Sequence, residues 1–226
     1  MKLCALFSGG KDSTLAIYRG LREHEVSVLL SMISERDDSF MYHTPNIHLT
    51  EYCAKAMNIP LVSWKTSGIP PQENTDLGKA LEQIKEECGI EGVCVGAVRS
   101  NYQYNIVSEV CKTLNLEVYA PYWQVDHARL VRELIDEGFS VVVVAVAAEG
   151  LGRSWLGRRL DSEALGELEE LNKKLGVDVG GEGGEYETLV LDGPIFNRRL
   201  EITSSEKKWD KIRGELLIKK VRLVDK

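Results

Sequence analysis

The chain has 226 residues, 28 Lys+Arg against 35 Asp+Glu, 43% hydrophobic residues and a formal net charge of −7. That length suits one large domain or two small ones and buries a core without disulfides or metal, and its ordinary balance of charged and apolar residues excludes a disordered chain. The acidic excess excludes an electrostatic, non-specific nucleic-acid binder, which carries a basic one.

The first apolar run is cut by Ser8-Gly9-Gly10, too early for a signal-peptide core or a membrane span. Lys2–Phe7 reads as a short strand, followed by a glycine turn and a helix from about Ser13 to Arg22. Glu25–Ile33 is the next strand, Ile47–Met57 is helical and Pro60–Trp64 is strand-like. Leu77, Ala80, Leu81, Ile84 and Cys88 repeat at helical spacing. Gly92–Gly96 is a short buried strand, Ile106, Val107, Val110 and Leu114 mark a helix, and Leu116–Ala120 is a strand. Strands alternating with helices, apolar at consecutive positions, predict a parallel sheet covered on both faces. Ligands of such sheets sit beyond the carboxyl ends of the strands, where Ser8–Thr14 and Gly96–Ser100 fall.

After Pro121 the texture changes, with a helix (His127–Glu137), a long strand (Phe139–Ala148) and a helix carrying Leu165, Leu168, Leu171 and Leu175. A glycine- and glutamate-rich segment follows, then strands around Leu189 and over Leu216–Val224. A boundary near residue 120, without a Ser/Gly linker, predicts two parts, 1–120 and 121–226, packed across a shared cleft. The cysteines (Cys4, Cys53, Cys88, Cys94 and Cys111) are odd in number and contain no CxxC pair, so they read as reduced thiols of a cytoplasmic protein.

The most informative segment is Ser8-Gly9-Gly10-Lys11-Asp12-Ser13-Thr14. Two glycines let backbone N–H groups approach a bulky anion, and the following helix adds the positive end of its dipole. Ser8 and Ser13 supply hydroxyl donors and Lys11 a point charge, while Asp12 orients the loop or holds Mg²⁺. The GxxxxGK[ST] phosphate loop is absent from the chain.

This SGGKDS pattern resembles the pyrophosphate loop of the N-type ATP pyrophosphatase superfamily. The resemblance implies a Rossmann-like α/β fold of the adenine nucleotide alpha-hydrolase type, with a smaller C-terminal α/β domain. It also implies ATP cleavage to AMP and pyrophosphate, with a carboxyl oxygen activated as an adenylate and displaced by nitrogen or sulfur. Lys11, Asp12 and Ser13 would then be catalytic, with Ser8, Gly9, Gly10 and Thr14 completing the ATP loop. Met32 and Ile33 would contact the adenine, and Gly96 and Ala97 the other side of the nucleotide. Members that thiolate tRNA carry cysteine pairs and a basic surface. Here both halves are acidic, with 11 basic and 15 acidic side chains in 1–120 and 17 and 20 in 121–226. Members that draw ammonia from glutamine carry a glutaminase domain, for which this length leaves no room, so free ammonia (ammonium) is the expected nitrogen source.

Gly181-Glu182-Gly183-Gly184-Glu185-Tyr186-Glu187-Thr188, followed by Leu189-Val190-Leu191-Asp192-Gly193-Pro194, is similar to the signature of diphthine–ammonia ligases. Stretches 96–103, 122–124 and 154–158 resemble the same family, whose larger members carry further C-terminal domains. The resemblance implies ATP-dependent amidation of diphthine on translation elongation factor 2, with ATP and Mg²⁺ in the site. Its matching stretches make Arg99, Ser100, Tyr102, Gln103, Glu182, Gly183, Gly184, Glu185, Tyr186, Glu187 and Thr188 the expected substrate contacts, and His43 joins them only as a loop residue at the same sheet edge. Diphthine carries a carboxylate and a trimethylammonium group, and Glu182, Glu185 and Glu187 with the Tyr186 ring suit such a cation. One of these glutamates instead ligating Mg²⁺, or the segment being a solvated turn, are the competing readings.

His43 either meets a ligand or belongs to a loop that caps the next helix. His24, His48 and His127 lack metal-ligand spacing and read as structural or surface groups. Trp64, Trp123, Trp155 and Trp209 read as packing anchors, with Trp123 also a candidate for the cleft lining. Residues 206–226 carry eight basic and four acidic residues, a solvated face or a contact for an acidic partner. The alternatives to amidation are another adenylating ligase or thiolase, and an adenine-nucleotide sensor without chemistry. Neither a membrane nor direct nucleic-acid binding is expected, and a homodimer is left open.

Overall fold

Five short apolar runs form the strands β1 (Lys2–Leu6), β2 (Glu25–Ser34), β3 (Leu61–Thr66), β4 (Gly92–Cys94) and β5 (Glu117–Tyr119) of a computed structural model describing residues 1–36 and 45–226. All their pairings are parallel, in the order β3-β2-β1-β4-β5. Parallel neighbours need crossovers, supplied by α1 (Lys11–Glu23), α2 (Thr50–Met57), α3 (Gln72–Cys88) and α4 (Asn101–Thr113). Side chains alternate across the pleat. Leu3, Ala5 and Leu29 meet Leu15 and Ile17 of α1 and Ala54 and Met57 of α2 on one face. Cys4, Val28 and Leu30 meet Leu77, Leu81 and Ile84 of α3 and Val107 of α4 on the other. Each such buried aliphatic side chain contributes about 1.5–3 kcal/mol over an exposed one.

The strand order reverses between β1 and β4, which opens a crevice beyond their carboxyl ends. The segment after β4 lies close against the start of α1. A β-carbon on Gly96 would stand 2.7 Å from the Ser13 amide nitrogen and 2.8 Å from the Asp12 carbonyl carbon.

The remaining elements are α5 (His127–Asp136), β6 (Ser140–Val146), α6 (Ser162–Leu175), β7 (Tyr186–Asp192), β8 (Arg198–Trp209) and β9 (Gly214–Asp225). Asp126 and Asp161 cap α5 and α6 by accepting from the Arg129 and Ala164 amides at 3.0 and 2.9 Å. The four strands form an antiparallel sheet in the order β7-β6-β9-β8. Strand β8 escapes the sequence pattern. It is an edge strand, its apolar alternation is confined to Leu200 and Ile202, and 205–208 are exposed, so pairing with β9 rather than burial defines it.

One apolar cluster joins the two sheets, running from Leu3 and Leu15 to Val143 and Leu189. The outer edge of β7 is covered by the first half of the chain. Val190 N–H donates to the Gly9 carbonyl at 2.9 Å, and just beyond the strand Asn197 N–H donates to the Ala56 carbonyl at 2.7 Å.

Candidate active site

The turn after β1 is braced by its own side chains. Ser8 N–H donates to Ser13 Oγ and Gly10 N–H to Ser8 Oγ, each at 3.3 Å. The Ser13 and Thr14 hydroxyls both donate to the Gly10 carbonyl, at 3.2 and 2.8 Å. Gly9 has φ +81°, a conformation that side-chain-bearing residues rarely adopt, and a β-carbon there would also crowd Leu189 at 3.3 Å. Helix α1 starts two residues before the expected Ser13, with Gly10 as its N-cap, so Lys11 and Asp12 lie in its first turn.

Strand β7 closes over that helix start, and Lys11 N–H donates to Thr188 Oγ1 at 3.1 Å in a buried contact. The Lys11 ammonium is itself buried. It donates to Asp12 at 2.8 Å and to the Gly180 carbonyl, and stands 5.3 Å from the Tyr186 ring centroid. Burial opposes its charge, but Asp12, Tyr186 and Glu187 outweigh that and hold its pKa above the ordinary lysine value. Lys11 therefore ties the turn to the 178–188 segment as well as adding charge.

That second segment is held from outside itself. His127, the first residue of α5, is buried and lies between two carboxylates, with Nδ1 2.7 Å from Asp178 Oδ1 and Nε2 3.1 Å from Glu182 Oε2. Hydrogen bonds to Asp178 and Glu182 raise its pKa to about 9 against the cost of burial, so it is an imidazolium at neutral pH. The Glu182 carboxylate also accepts the Val98, Arg99 and Ser100 amides at 3.2, 2.8 and 2.8 Å. Burial alone would raise its pKa, but His127 and these amides bring it down to about 2. Glu185 folds back, accepting from the Asp178 amide at 3.3 Å, with its other oxygen buried and unpaired. Tyr186 is buried and donates to the Val179 carbonyl at 2.6 Å. Glu187 faces Lys11 and Asp12, and burial raises its carboxyl to about 7, Lys11 opposing and Asp12 reinforcing the shift.

Between the two segments lies a cleft of about 610 Å³. Ser8, Gly10, Lys11, Asp12 and Ser13 form one wall, and Glu182, Gly183, Gly184, Tyr186, Glu187 and Thr188 form another. Met32, Gly96, Ala97 and Gln103 also line it, as do the apolar Leu30, Val95 and Val107. Several expected contacts stand behind or beside this lining. Gly9 and Thr14 are buried in the turn, Ile33 is half-buried on β2, and Glu185 is turned into its own loop. Arg99 and Tyr102 are exposed, while Ser100 caps α4 by accepting from the Gln103 amide at 3.3 Å. His43 lies outside the described residues.

His127 and Asp178 are the site residues that sequence reasoning missed. They sit far apart in the chain and no local spacing joins them; the nearest clue is that Asp178 lies just upstream of the glycine-rich segment, separated from Gly180 by Val179. The tryptophans pack as read. Trp155 is buried under the Arg158 guanidinium, and Trp123 stacks on Tyr104 with centroids 4.1 Å apart, outside the cleft lining. All five cysteines are free. Among the described residues no group of three or more His, Cys, Asp or Glu side chains is arranged to hold a metal ion, and no helix is long and apolar enough to cross a membrane.

Comparison with known proteins bears on the whole chain. Residues 1–118 match the family model of the diphthamide synthase N-terminal domain, and residues 126–224 match that of the diphthamide synthase C-terminal domain. A diphthine–ammonia ligase of Mus musculus is 39% identical over 91% of this chain and 84% of its own, and that of Homo sapiens is 37% identical with the same coverage. The Saccharomyces cerevisiae diphthine–ammonia ligase is 32% identical over 87% of this chain but only 33% of its own. A solved structure described as a predicted subunit of tRNA methyltransferase from Methanocaldococcus jannaschii aligns with 17% identity and a TM-score of 0.46, covering 86% of this chain and 98% of that one, a likeness too loose to build on. The chain belongs to the diphthamide synthase family, in which its relatives of closely similar extent are diphthine–ammonia ligases.

Proposed function

We propose that this chain amidates diphthine on translation elongation factor 2 with ammonia, consuming ATP to AMP and pyrophosphate through an acyl-adenylate. The observation that carries the reading is the convergence of the two glycine-rich segments on one cleft, joined by the Lys11–Thr188 and Val190–Gly9 hydrogen bonds. Residues 1–120 then form the nucleotide part and 121–226 the part that recognises diphthine.

The turn lines the cleft with Ser8, Gly10, Lys11 and Ser13 and sets the N-terminus of α1 toward the phosphates, with Gly9 and Thr14 shaping it from behind. Gly96 and Ala97, which line the cleft beside the turn, border the nucleotide in this reading. Met32, which lines the cleft from β2, contacts the adenine in this reading. Magnesium is held largely by phosphate oxygens and water with one or two carboxylates. Asp12 fits that demand: it is partly exposed on the cleft, and Lys11 engages one of its two oxygens. The ion, when bound, neutralises phosphate charge. The protein's share is then to orient the substrate carboxylate toward the α-phosphorus and to keep water out. Five free cysteines suit a reducing compartment such as the cytoplasm.

The test is incubation with ATP, Mg²⁺, ammonium and diphthine-bearing elongation factor 2. AMP release that depends on the factor, with the small mass decrease of replacing a hydroxyl by an amine, is expected. AMP release without factor dependence would mean another adenylating ligase, and nucleotide binding without turnover a sensor. Lys11→Ala should lower adenylate formation.

A further inference from the structure

The hairpin of β8 and β9 is a basic element on an acidic chain: residues 206–226 carry eight basic and four acidic side chains, while the whole carries a net charge of −7. Its position follows from the strand register. Tyr186 pairs with Val146, Val146 with Gly214, and Gly214 with Trp209. The 210–213 turn therefore leaves the sheet at the same end as the 181–184 segment that lines the cleft. Three strand spacings put Trp209 about 14 Å from Tyr186 across the sheet. A second lining residue, Ile47, is tied to the same hairpin through its neighbours. Asn46 Nδ2 donates to the Leu216 carbonyl at 3.0 Å, Asn46 Oδ1 accepts the Ile218 amide at 2.8 Å, and His48 Nε2 donates to the Ile218 carbonyl at 3.3 Å.

The turn is braced to display what it carries. The Asp210 carboxylate accepts the Ile212 and Arg213 amides at 3.1 and 2.8 Å and holds the Arg213 guanidinium at 3.1 Å. The half-buried Trp209 ring lies against Gly214, where an added β-carbon would stand 2.5 Å from it, and fixes the base of the turn. At the apex Lys211 has φ +83°, a conformation lysine rarely adopts. Ile212 beside it is 77% exposed, the most exposed large hydrophobic residue among those described. Lys219 is engaged by Glu206, and Lys208 stands opposite Glu215. Lys207 and Lys211 are exposed and make no ion pair among the described residues.

We infer that the 207–213 tip is a docking surface for the protein that carries diphthine, which meets it with acidic side chains around an apolar recess for Ile212. This rests on the amidation reading: a side chain entering the cleft brings its own polypeptide surface onto the rim, and the tip stands on that rim. Opposite charges steer such an encounter and fix its orientation, and a braced turn loses little freedom on binding. Protein rather than nucleic acid fits the tip, because its free cations are few and are interleaved with Glu206, Asp210 and Glu215.

The experiment uses the full chain with Lys211→Glu, Ile212→Ser and a control of equal charge, Lys220→Glu, about 20 Å along β9 from Gly214. Amidation is measured on diphthine-bearing elongation factor 2 and on free diphthine, with unfolding curves beside them. Each tip variant should raise KM for the factor about 10-fold. Its kcat at saturating factor, its KM for ATP and its reaction with free diphthine should match wild type. The Lys211→Glu effect should shrink as salt rises while that of Ile212→Ser persists, and Lys220→Glu should leave KM unchanged. Wild-type KM in both tip variants, with amide still formed, would overturn this inference and leave the amidation reading standing. An equal rise for Lys220→Glu would make net charge the cause, and an equal loss with free diphthine would place the effect in the cleft; either overturns it. So would a tip that holds a single-stranded RNA oligonucleotide more tightly than the factor. A wild-type chain that forms no amide on the factor would instead remove the amidation reading, and this inference with it.

Discussion

The two glycine-rich segments that meet across the cleft are built in opposite ways. The 8–14 turn is braced by neighbours in sequence, with serine and threonine hydroxyls bonded to amides and carbonyls two to five residues away. The 181–188 segment is braced by residues distant in the chain: His127, the amides of 98–100 and the Lys11 ammonium on Gly180. A locally braced loop keeps its shape wherever the strand and helix around it form. A remotely braced one exists only once the whole fold has closed, so damage to it should spread.

The harshest way to break the first segment is Gly96→Ala. The added β-carbon would stand 2.7 Å from the Ser13 amide nitrogen, where only backbone can yield. Overpacking of this kind costs about 3 kcal/mol or more. A marked fall in melting temperature, with loss of binding of a non-hydrolysable ATP analogue by calorimetry, is the expected result.

The second segment is tested by His127→Gln, which leaves Asp178 and Glu182 without their shared cation. The expected loss is about 3 kcal/mol by denaturant unfolding, and it should depend on pH. Folding raises the His127 pKa from 6.5 to about 9, so its contribution is complete below about 6.5 and fades as pH rises through 9. Glu182 is lowered from 4.5 to about 2, so its contribution is complete above 4.5 and fades as pH falls toward 2. The difference between wild type and variant should therefore peak between about pH 4.5 and 6.5 and shrink toward pH 9. A difference that stayed constant across this range would contradict the imidazolium.

The link between the segments is sharpened by Thr188→Val, which removes the acceptor of the Lys11 amide while keeping the shape. A buried amide left without a partner costs about 1–3 kcal/mol. Weakened ATP binding, measured beside the unfolding curve, would show that β7 shapes the turn. The smallest effect is expected from Gly184→Ala. Its φ of +86° strains any side chain, but nothing lies within 4 Å of the new β-carbon, so about 1 kcal/mol is expected with no change in nucleotide binding.

Local patterns are legible in the chain itself. The Leu77–Cys88 stripe, the consecutive apolar strands of the parallel sheet and the turn after β1 follow from residues a few positions apart, and each falls close to its expected place. Strand β8 is not legible in this way, because an edge strand with polar faces owes its existence to the β9 backbone beside it. The candidate site divides the same way. Ser8–Ser13 hydrogen bonding is implicit in SGGKDS, whereas His127 joins Asp178 and Glu182 only because α5 starts where the 178–188 segment passes.

The glutamates make the point most directly. In the chain Glu182, Glu185 and Glu187 are three similar carboxylates in one acidic, glycine-rich run. The folded molecule gives the first a cation and three amides, turns the second into its own loop, and leaves the third open to the cleft. Residue type and spacing determine that carboxylates stand at this place, and with the turn after β1 they determine the family. Which carboxylate is saturated and which is free is decided by tertiary structure, because hydrogen-bond partners and desolvation are supplied by elements far away in sequence.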